Sequence, residues 1–174
     1  HQSPPAGLSL KTVPACVTNS SITGTSLCKF SGAKPSGLAP FMYNVLMISK
    51  SVTETGKIAA GIVDTLQPQT KAVVFALSGN LGSGKTTFTK AFALACGISP
   101  DEVTSPTFVI MKSYEIAEPR VLVGGWTKLI HIDAYRLEKP EEIVRLGWND
   151  LISDPTYIIL VEWPEHIGKA MPKD

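Results

Sequence analysis

The chain has 174 residues, of which 44% are hydrophobic and 18% charged, and its formal net charge is +1. This length can form one domain with a buried core. With this near-neutral charge, the chain lacks the basic excess of proteins that bind nucleic acids or membranes mainly through electrostatic attraction. Three cysteines without a C-x-x-C pair indicate neither a disulfide framework nor a zinc site. No apolar run approaches the roughly 20 residues of a membrane span.

Residues 1–43 differ in composition from the rest of the chain. They contain five prolines, three lysines and no acidic residue, and they show no helical or strand period. We predict a disordered leader. The alternative is a targeting segment, since transit peptides are rich in Ser and poor in acids, although this stretch contains no arginine. The expected compartment is the cytoplasm, or a chloroplast or mitochondrion if the leader is a transit peptide.

The folded domain is predicted to span residues 44–174 and to begin with a helix. Ser51 and Glu54 have the spacing of a capping box, and Pro68 ends the helical pattern. Between them, residues at helical spacing predict one buried apolar face, made of Val52, Thr55, Ala59, Ile62, Val63 and Leu66.

A strand, a glycine-rich loop and a helix are predicted next, in immediate succession. A β-type run covers 72–77, and a helix-forming run covers 86–96 and stops at Gly97. Between them, the chain matches the phosphate-binding pattern G-x-x-x-x-G-K-[ST] with Gly79, Asn80, Leu81, Gly82, Ser83, Gly84, Lys85 and Thr86, and Thr87 follows.

Each part of this pattern suits a phosphate group. Glycines let several backbone N–H groups point at one phosphate, and the new helix adds the positive end of its dipole. Lys85 can reach the outer phosphates, and the Thr86 hydroxyl can bind Mg²⁺. The flanking strand and helix disfavour the alternative, a glycine-rich turn with a chance Lys-Thr pair. The sequence therefore predicts that the chain binds a nucleoside triphosphate.

The remaining elements predict an α/β domain with three layers and a central mixed, partly parallel sheet. Further strands are predicted over 107–116, 128–133 and 157–161, and a short helix over 140–146. In such sheets the ligand lies at the carboxyl ends of the strands. Asp133 and Glu162 both follow an apolar strand, so we expect them at that edge.

Several side chains are candidates for chemistry at this edge. Asp133 or Glu162 could bind the metal or orient water, and the alternative is a solvent-facing acid at a strand end. Thr107 could act as a switch threonine, or Ser and Thr beside Pro106 could simply form a turn. Trp163 could pack in the core or form a wall of the nucleotide site. His131 is interpreted as a packed, hydrogen-bonded histidine rather than a base.

Taken together, these motifs resemble the TsaE family (also called YjeE), P-loop ATPases of tRNA threonylcarbamoyladenosine biosynthesis. The resemblance covers roughly residues 43–172. It rests on five motifs in family order: the loop 79–87, Ser-Pro-Thr-Phe at 105–108, His-Ile-Asp-Ala-Tyr-Arg-Leu at 131–137, Leu-Gly at 146–147, and Glu-Trp-Pro-Glu at 162–165.

The resemblance implies an activity, cofactors and partners. Family members bind ATP with Mg²⁺ and hydrolyse it slowly alone. They act with a TsaB–TsaD complex that transfers threonylcarbamoyl to adenosine 37 of tRNA, so contact with tRNA is expected only through the complex, and none with a membrane.

The resemblance also implies site residues. The loop 79–87 and Trp163 would bind the nucleotide, with Lys85 on the phosphates. Thr86 and Glu162 would bind Mg²⁺, and Thr107 would act as the switch threonine. Asp133 would orient water.

The chain departs from the family pattern in two places, and two other functions stay open. Family domains usually continue past the Glu-Trp-Pro-Glu motif, so we expect a truncated C-terminus, and the segment 117–127 looks long. One alternative is a small-molecule P-loop kinase, although three arginines are few for the lid and acceptor pocket of such an enzyme. The other is a nucleotide-dependent regulatory subunit with little hydrolysis.

Overall fold

A computed structural model describes the backbone of residues 16–18, 26–30 and 45–48 and all atoms of 49–116 and 125–172. Seven strands are described: β1 (Cys16–Thr18), β2 (Ser26–Phe30), β3 (Val45–Ser49), β4 (Val73–Gly79), β5 (Met111–Glu115), β6 (Lys128–Asp133) and β7 (Tyr157–Glu162). The α-helices are α1 (Val52–Thr65), α2 (Lys85–Ala95), α3 (Pro140–Arg145) and α4 (Trp148–Ser153), and two 3₁₀ helices cover Ala134–Arg136 and Pro164–Ile167.

The central sheet is mixed and mostly parallel, as predicted. Its strand order is β1-β4-β7-β6-β5. Strands β1, β4, β7 and β6 are parallel to one another, and only the edge strand β5 is antiparallel to its neighbour. Strands β2 and β3 form a separate antiparallel pair.

Helices cover both faces of the sheet, so the three-layer prediction is confirmed. Strand β7 shows why, because its successive side chains point to opposite faces. Ile158 and Leu160 pack in a cluster with α1 and α2. Ile159 and Val161 pack in a second cluster with α3, α4 and the 3₁₀ helix Pro164–Ile167. A strand that is apolar on both faces is typical of a buried parallel sheet.

Helix α1 begins where the capping box predicted. The Ser51 hydroxyl accepts a hydrogen bond from the Glu54 N–H at 3.1 Å, and the Glu54 carboxylate accepts one from the Lys50 N–H at 2.6 Å. The predicted apolar face is buried at five of its six positions, but Val52 is 72% exposed. Val52 is the first residue of the helix and lies outside the core cluster that contains Ala59, Ile62, Val63 and Leu66.

The predicted strand at 107–116 is shorter than expected. Strand β5 covers only Met111–Glu115, and the preceding residues form turns. The N–H of Ile110 donates to the carbonyl of Pro106 at 2.6 Å, and Ile110 has a left-handed φ of 66°. Because of this turn, the extended conformation begins only at Met111. The turn also places Thr107 at the carboxyl edge of the sheet, beside Asp133. Helix α4 was not predicted, because its six residues are too few to show a helical period. Helix α3 is equally short, but the proline at its first turn marked its start.

Strands β1 and β2 lie within residues 1–43, where we predicted a disordered leader. Strand β1 pairs with β4 from Cys16 opposite Leu77 to Thr18 opposite Gly79. Backbone pairing does not require an amphipathic sequence, so the composition of this stretch gave no signal for strands β1 and β2. The other residues of 1–43 lie outside the described residues, and the boundary at residue 44 stays a prediction. Within the described part of the chain, no helix combines the length and apolar character needed to cross a membrane.

Candidate functional site

The glycine-rich loop connects the carboxyl end of β4 to the first turn of α2. Gly82 and Gly84 have left-handed φ angles of 77° and 94°, which residues other than glycine rarely adopt. The N–H of Phe88 donates to the carbonyl of Gly84 at 2.8 Å, and this bond starts the helical ladder. The N–H groups of residues 85–87 therefore have no acceptor within the helix. The first turn is thus suited to receive an anion.

Lys85 lies folded over this loop. Its ammonium donates to the carbonyls of Gly79 at 2.7 Å and Asn80 at 3.0 Å, and it lies 3.9 Å from the centre of the Trp163 ring. The residue is only 5% exposed. Burial lowers the pKa of Lys85, while the nearby carboxylates, chiefly that of Glu162, oppose this shift. The loop thus holds the ammonium with neutral carbonyls and an aromatic ring, and among the described residues no carboxylate forms an ion pair with it.

Glu162 connects the start of α2 to the middle of the sheet. Its carboxylate accepts hydrogen bonds from the Thr86 hydroxyl, at 2.9 Å to Oε1 and 3.2 Å to Oε2. His131 Nε2 lies 2.8 Å from the same Oε1. His131 is fully buried and hydrogen-bonded, as the sequence suggested. Its contact with Glu162 had no sequence signal, because it depends on the register of β6 and β7.

Asp133 lies beside Glu162, since these two residues are partners in the β6–β7 register. Its Oδ2 accepts hydrogen bonds from the Thr107 hydroxyl and, at 3.2 Å, from the Ser105 hydroxyl. Its Oδ1 accepts the Tyr135 N–H at 3.1 Å. Asp133 and Glu162 are each only 3% exposed. Neither carboxylate is a solvent-facing acid at a strand end.

The rings of Tyr135, Trp163 and His166 form an aromatic cluster next to Lys85. The ring of Trp163 lies 5.2 Å from that of Tyr135 and 6.1 Å from that of His166, measured between centroids. Trp163 has a left-handed φ of 57°, and its N–H donates to the carbonyl of Leu77 at 3.2 Å. This turn directs the Trp163 ring toward the loop, so Trp163 forms a wall of the site.

The loop, both carboxylates and the aromatic wall enclose a cavity of about 340 Å³. Its lining comprises Leu81, Gly82, Ser83, Gly84, Lys85, Thr86, Thr87, Ser105, Thr107, Asp133, Tyr135, Glu162 and Trp163. The predicted residues Gly79 and Asn80 do not line it but accept the Lys85 hydrogen bonds. We did not assign Ser105 and Tyr135 to the site, although both lie within the motifs of the resemblance. The functions of all these residues stay predictions.

The oxygen atoms at this cavity suit a magnesium ion that also binds water and phosphate better than a metal ion coordinated only by protein side chains. Among residues 49–116 and 125–172, no group of three or more His, Cys, Asp or Glu side chains could hold a metal. The Thr86 hydroxyl and the Glu162 carboxylate offer hard oxygen atoms side by side. Mg²⁺ commonly takes one or two protein oxygens and completes its shell with water and phosphate. These residues therefore fit a magnesium–nucleotide complex.

Comparison with known proteins identifies the family. Residues 49–174 match the family model of the threonylcarbamoyl adenosine biosynthesis protein TsaE. The tRNA threonylcarbamoyladenosine biosynthesis protein TsaE of Treponema pallidum is 32% identical over 126 residues, covering 72% of this chain and 83% of that protein.

Two further TsaE proteins are 40% identical over 101 residues, which is 58% of this chain. The matched region spans 66% of the Borreliella burgdorferi protein and 56% of the Bacillus subtilis protein. The family match covers the loop, both carboxylates and the aromatic wall. The chain therefore belongs to the TsaE family of threonylcarbamoyl adenosine biosynthesis proteins.

Proposed function

We propose that this chain is a Mg²⁺-dependent ATPase that supports threonylcarbamoylation of adenosine 37 in tRNA, together with a TsaB–TsaD-type complex. The observation that carries the ATPase proposal is the convergence on one cavity of the glycine-rich loop, the Thr86–Glu162 pair and the Thr107–Asp133 pair. Membership of the TsaE family supports the place in tRNA modification.

Nucleotide binding is assigned to the loop and Lys85. The N–H groups of residues 85–87, which have no acceptor within the helix, would donate to the phosphates. The Lys85 ammonium is buried and forms no ion pair with any described residue, so a phosphate oxygen would give it a stronger partner than two neutral carbonyls. The Trp163 ring would limit the movement of Lys85 and keep it close to the phosphates.

Metal binding is assigned to Thr86 and Glu162. Their oxygen atoms lie within hydrogen-bond distance of one another at the cavity wall. A bound Mg²⁺ would neutralise charge on the phosphates and stabilise the charge that develops during their cleavage. The Thr86 hydroxyl would bind the ion through an oxygen lone pair while its O–H still donates to Glu162.

Orientation of the attacking water is assigned to Asp133. Its carboxylate lines the cavity, and its Oδ2 is held by the hydroxyls of Thr107 and Ser105. If Thr107 turns toward the nucleotide as a switch threonine, Asp133 loses one of these donors and Oδ2 becomes available to water. Binding of the nucleotide and exposure of the carboxylate oxygen would then be coupled.

Partner dependence is the second part of the proposal. The chain has a net charge of +1 and no basic excess, so we assign contact with tRNA to the partner complex. ATP turnover by this chain would serve repeated cycles of that complex rather than the transfer chemistry itself.

Phosphate release with Mg²⁺ tests the proposal, using the chain alone and mixed with a TsaB–TsaD pair. We expect low activity alone, a rise with the partners, and loss of activity in Asp133→Asn. Lys90→Ala is the control, because Lys90 lies on the exposed side of α2. Tight ATP binding without turnover in either mixture would instead favour a regulatory subunit. Transfer of labelled γ-phosphate to a metabolite would favour a kinase.

A further inference from the structure

His131 and Glu162 form a buried polar pair beneath the candidate site. The His131 side chain is fully buried, the Glu162 side chain is 4% exposed, and Nε2 lies 2.8 Å from Oε1. His131 lies opposite Leu160 in the register of β6 and β7, two residues before Glu162. Both side chains point to the face that packs against α2. A polar pair at this depth needs an explanation, because burying a polar group without a compensating partner is costly.

The hydrogen bonds around this pair determine how the imidazole is held. A carboxylate can only accept, so His131 Nε2 carries the proton and donates to Glu162 Oε1. Among the described residues, His131 Nδ1 has no hydrogen-bond partner. The imidazole therefore has one polar contact, and that contact is to Glu162.

This contact restricts the terminal torsion of the Glu162 side chain. The terminal torsion of a glutamate is broad, so Thr86 alone would not fix the plane of the carboxylate. Oε1 accepts from His131 and Thr86 together, at 2.8 and 2.9 Å, and Oε2 lies 3.2 Å from the Thr86 hydroxyl. Groups that hydrogen-bond to a metal-binding carboxylate orient it, and their loss weakens both metal affinity and activity.

We infer that His131 is a positioning residue that holds the Glu162 carboxylate toward Thr86, and thereby sets the affinity of the site for the divalent cation. This inference rests on the proposed function, because it takes Glu162 as a ligand of that cation. His131 would not touch the nucleotide, the metal or the water. A purely structural histidine at this position would predict that an apolar residue of similar size leaves metal binding unchanged.

Three substitutions separate these explanations. His131→Leu removes the donor and keeps the bulk. His131→Gln places an amide N–H near the position of Nε2, and His131→Asn places it near that of Nδ1, out of reach of Glu162. Leu129→Val is the control for a small loss of packing, since Leu129 is fully buried two residues earlier on the same strand.

The first readout is Mn²⁺ binding, measured by electron paramagnetic resonance in the presence of a non-hydrolysable ATP analogue. The others are analogue affinity without metal, Mg²⁺-dependent hydrolysis and the melting temperature. We expect His131→Leu and His131→Asn to weaken Mn²⁺ binding and hydrolysis roughly 10- to 100-fold and to leave metal-free affinity within about twofold. His131→Gln should recover most of the loss, and Leu129→Val should match the wild type in Mn²⁺ binding.

Two results would overturn the inference while the proposed function stands. One is wild-type Mn²⁺ affinity in His131→Leu, and the other is equal Mn²⁺ affinity in the Gln and Asn variants. If His131→Leu does not fold, the comparison of Gln with Asn decides alone. If the wild-type chain neither binds Mn²⁺ with the analogue nor hydrolyses ATP, the proposed function itself is wrong, and the inference fails with it.

Discussion

Replacing Lys85 by Ala should weaken ATP binding without unfolding the domain. In the free protein the ammonium makes two hydrogen bonds to loop carbonyls and lies 3.9 Å from the Trp163 ring centre. A phosphate would replace these neutral partners with a charged one, and a hydrogen bond involving a charged group contributes about 1.5–3 kcal/mol. Because 1.4 kcal/mol corresponds to a factor of ten, the dissociation constant should rise roughly 10- to 150-fold.

Isothermal titration calorimetry with Mg²⁺ and a non-hydrolysable ATP analogue measures this change. Lys90→Ala, on the exposed side of the same helix, should bind as tightly as the wild type. Lys85→Arg should not restore affinity, because a planar guanidinium does not fit a position shaped for a compact ammonium. An unchanged affinity in Lys85→Ala, with an unchanged melting temperature, would refute the assignment of this loop to phosphate binding.

Three further predictions concern the carboxylate, the core and a buried thiol. Glu162→Gln should keep metal-free nucleotide binding but lose Mg²⁺-dependent phosphate release, since an amide is a poor ligand for Mg²⁺; wild-type turnover would move the metal assignment to Asp133. Phe92→Ala should lower the free energy of unfolding, measured in urea, by about 3–5 kcal/mol, because Phe92 is fully buried. The control Leu94→Ala, at a residue 59% exposed, should change it by less than about 0.5 kcal/mol. Burial raises the pKa of the Cys96 thiol from its ordinary 9.0 to about 12. Above pH 9 the unfolded chain therefore loses this proton first, and stability falls with rising pH by up to about 1.4 kcal/mol per unit. Cys96→Ala should show a smaller loss of stability than the wild type between about pH 8 and about pH 10, and equal losses would contradict the burial argument.

The loop and the layer order could be predicted because their signals are local. A glycine at each turn position, a lysine and threonine at the start of a helix, and apolar runs of strand length all lie within a few residues of one another. The strands 128–133 and 157–161 were predicted at nearly their observed bounds, since β7 ends one residue later, at Glu162. Burial on both faces explains this, because such strands consist almost entirely of apolar residues.

Predictions failed where conformation depended on contacts with other elements. Nothing local in Thr107-Phe108-Val109 prevents a strand, yet Ile110 adopts a left-handed φ in a turn closed by hydrogen bonds to Pro106 and Asp133. Nor does the helical spacing after Ser51 show that Val52 stays exposed while the rest of the apolar face is buried.

The sequence by itself determined that the chain has a phosphate-binding loop between a strand and a helix, in an α/β domain with acids at strand ends. Only the tertiary structure decided which polar groups meet. The parallel register of β6 and β7 sets Asp133 beside Glu162 and brings His131 beneath it. The turn before β5 brings Ser105 and Thr107 to Asp133. These contacts join residues 26 to 31 positions apart, and pairing at that distance follows from strand order and register, which no local pattern encodes.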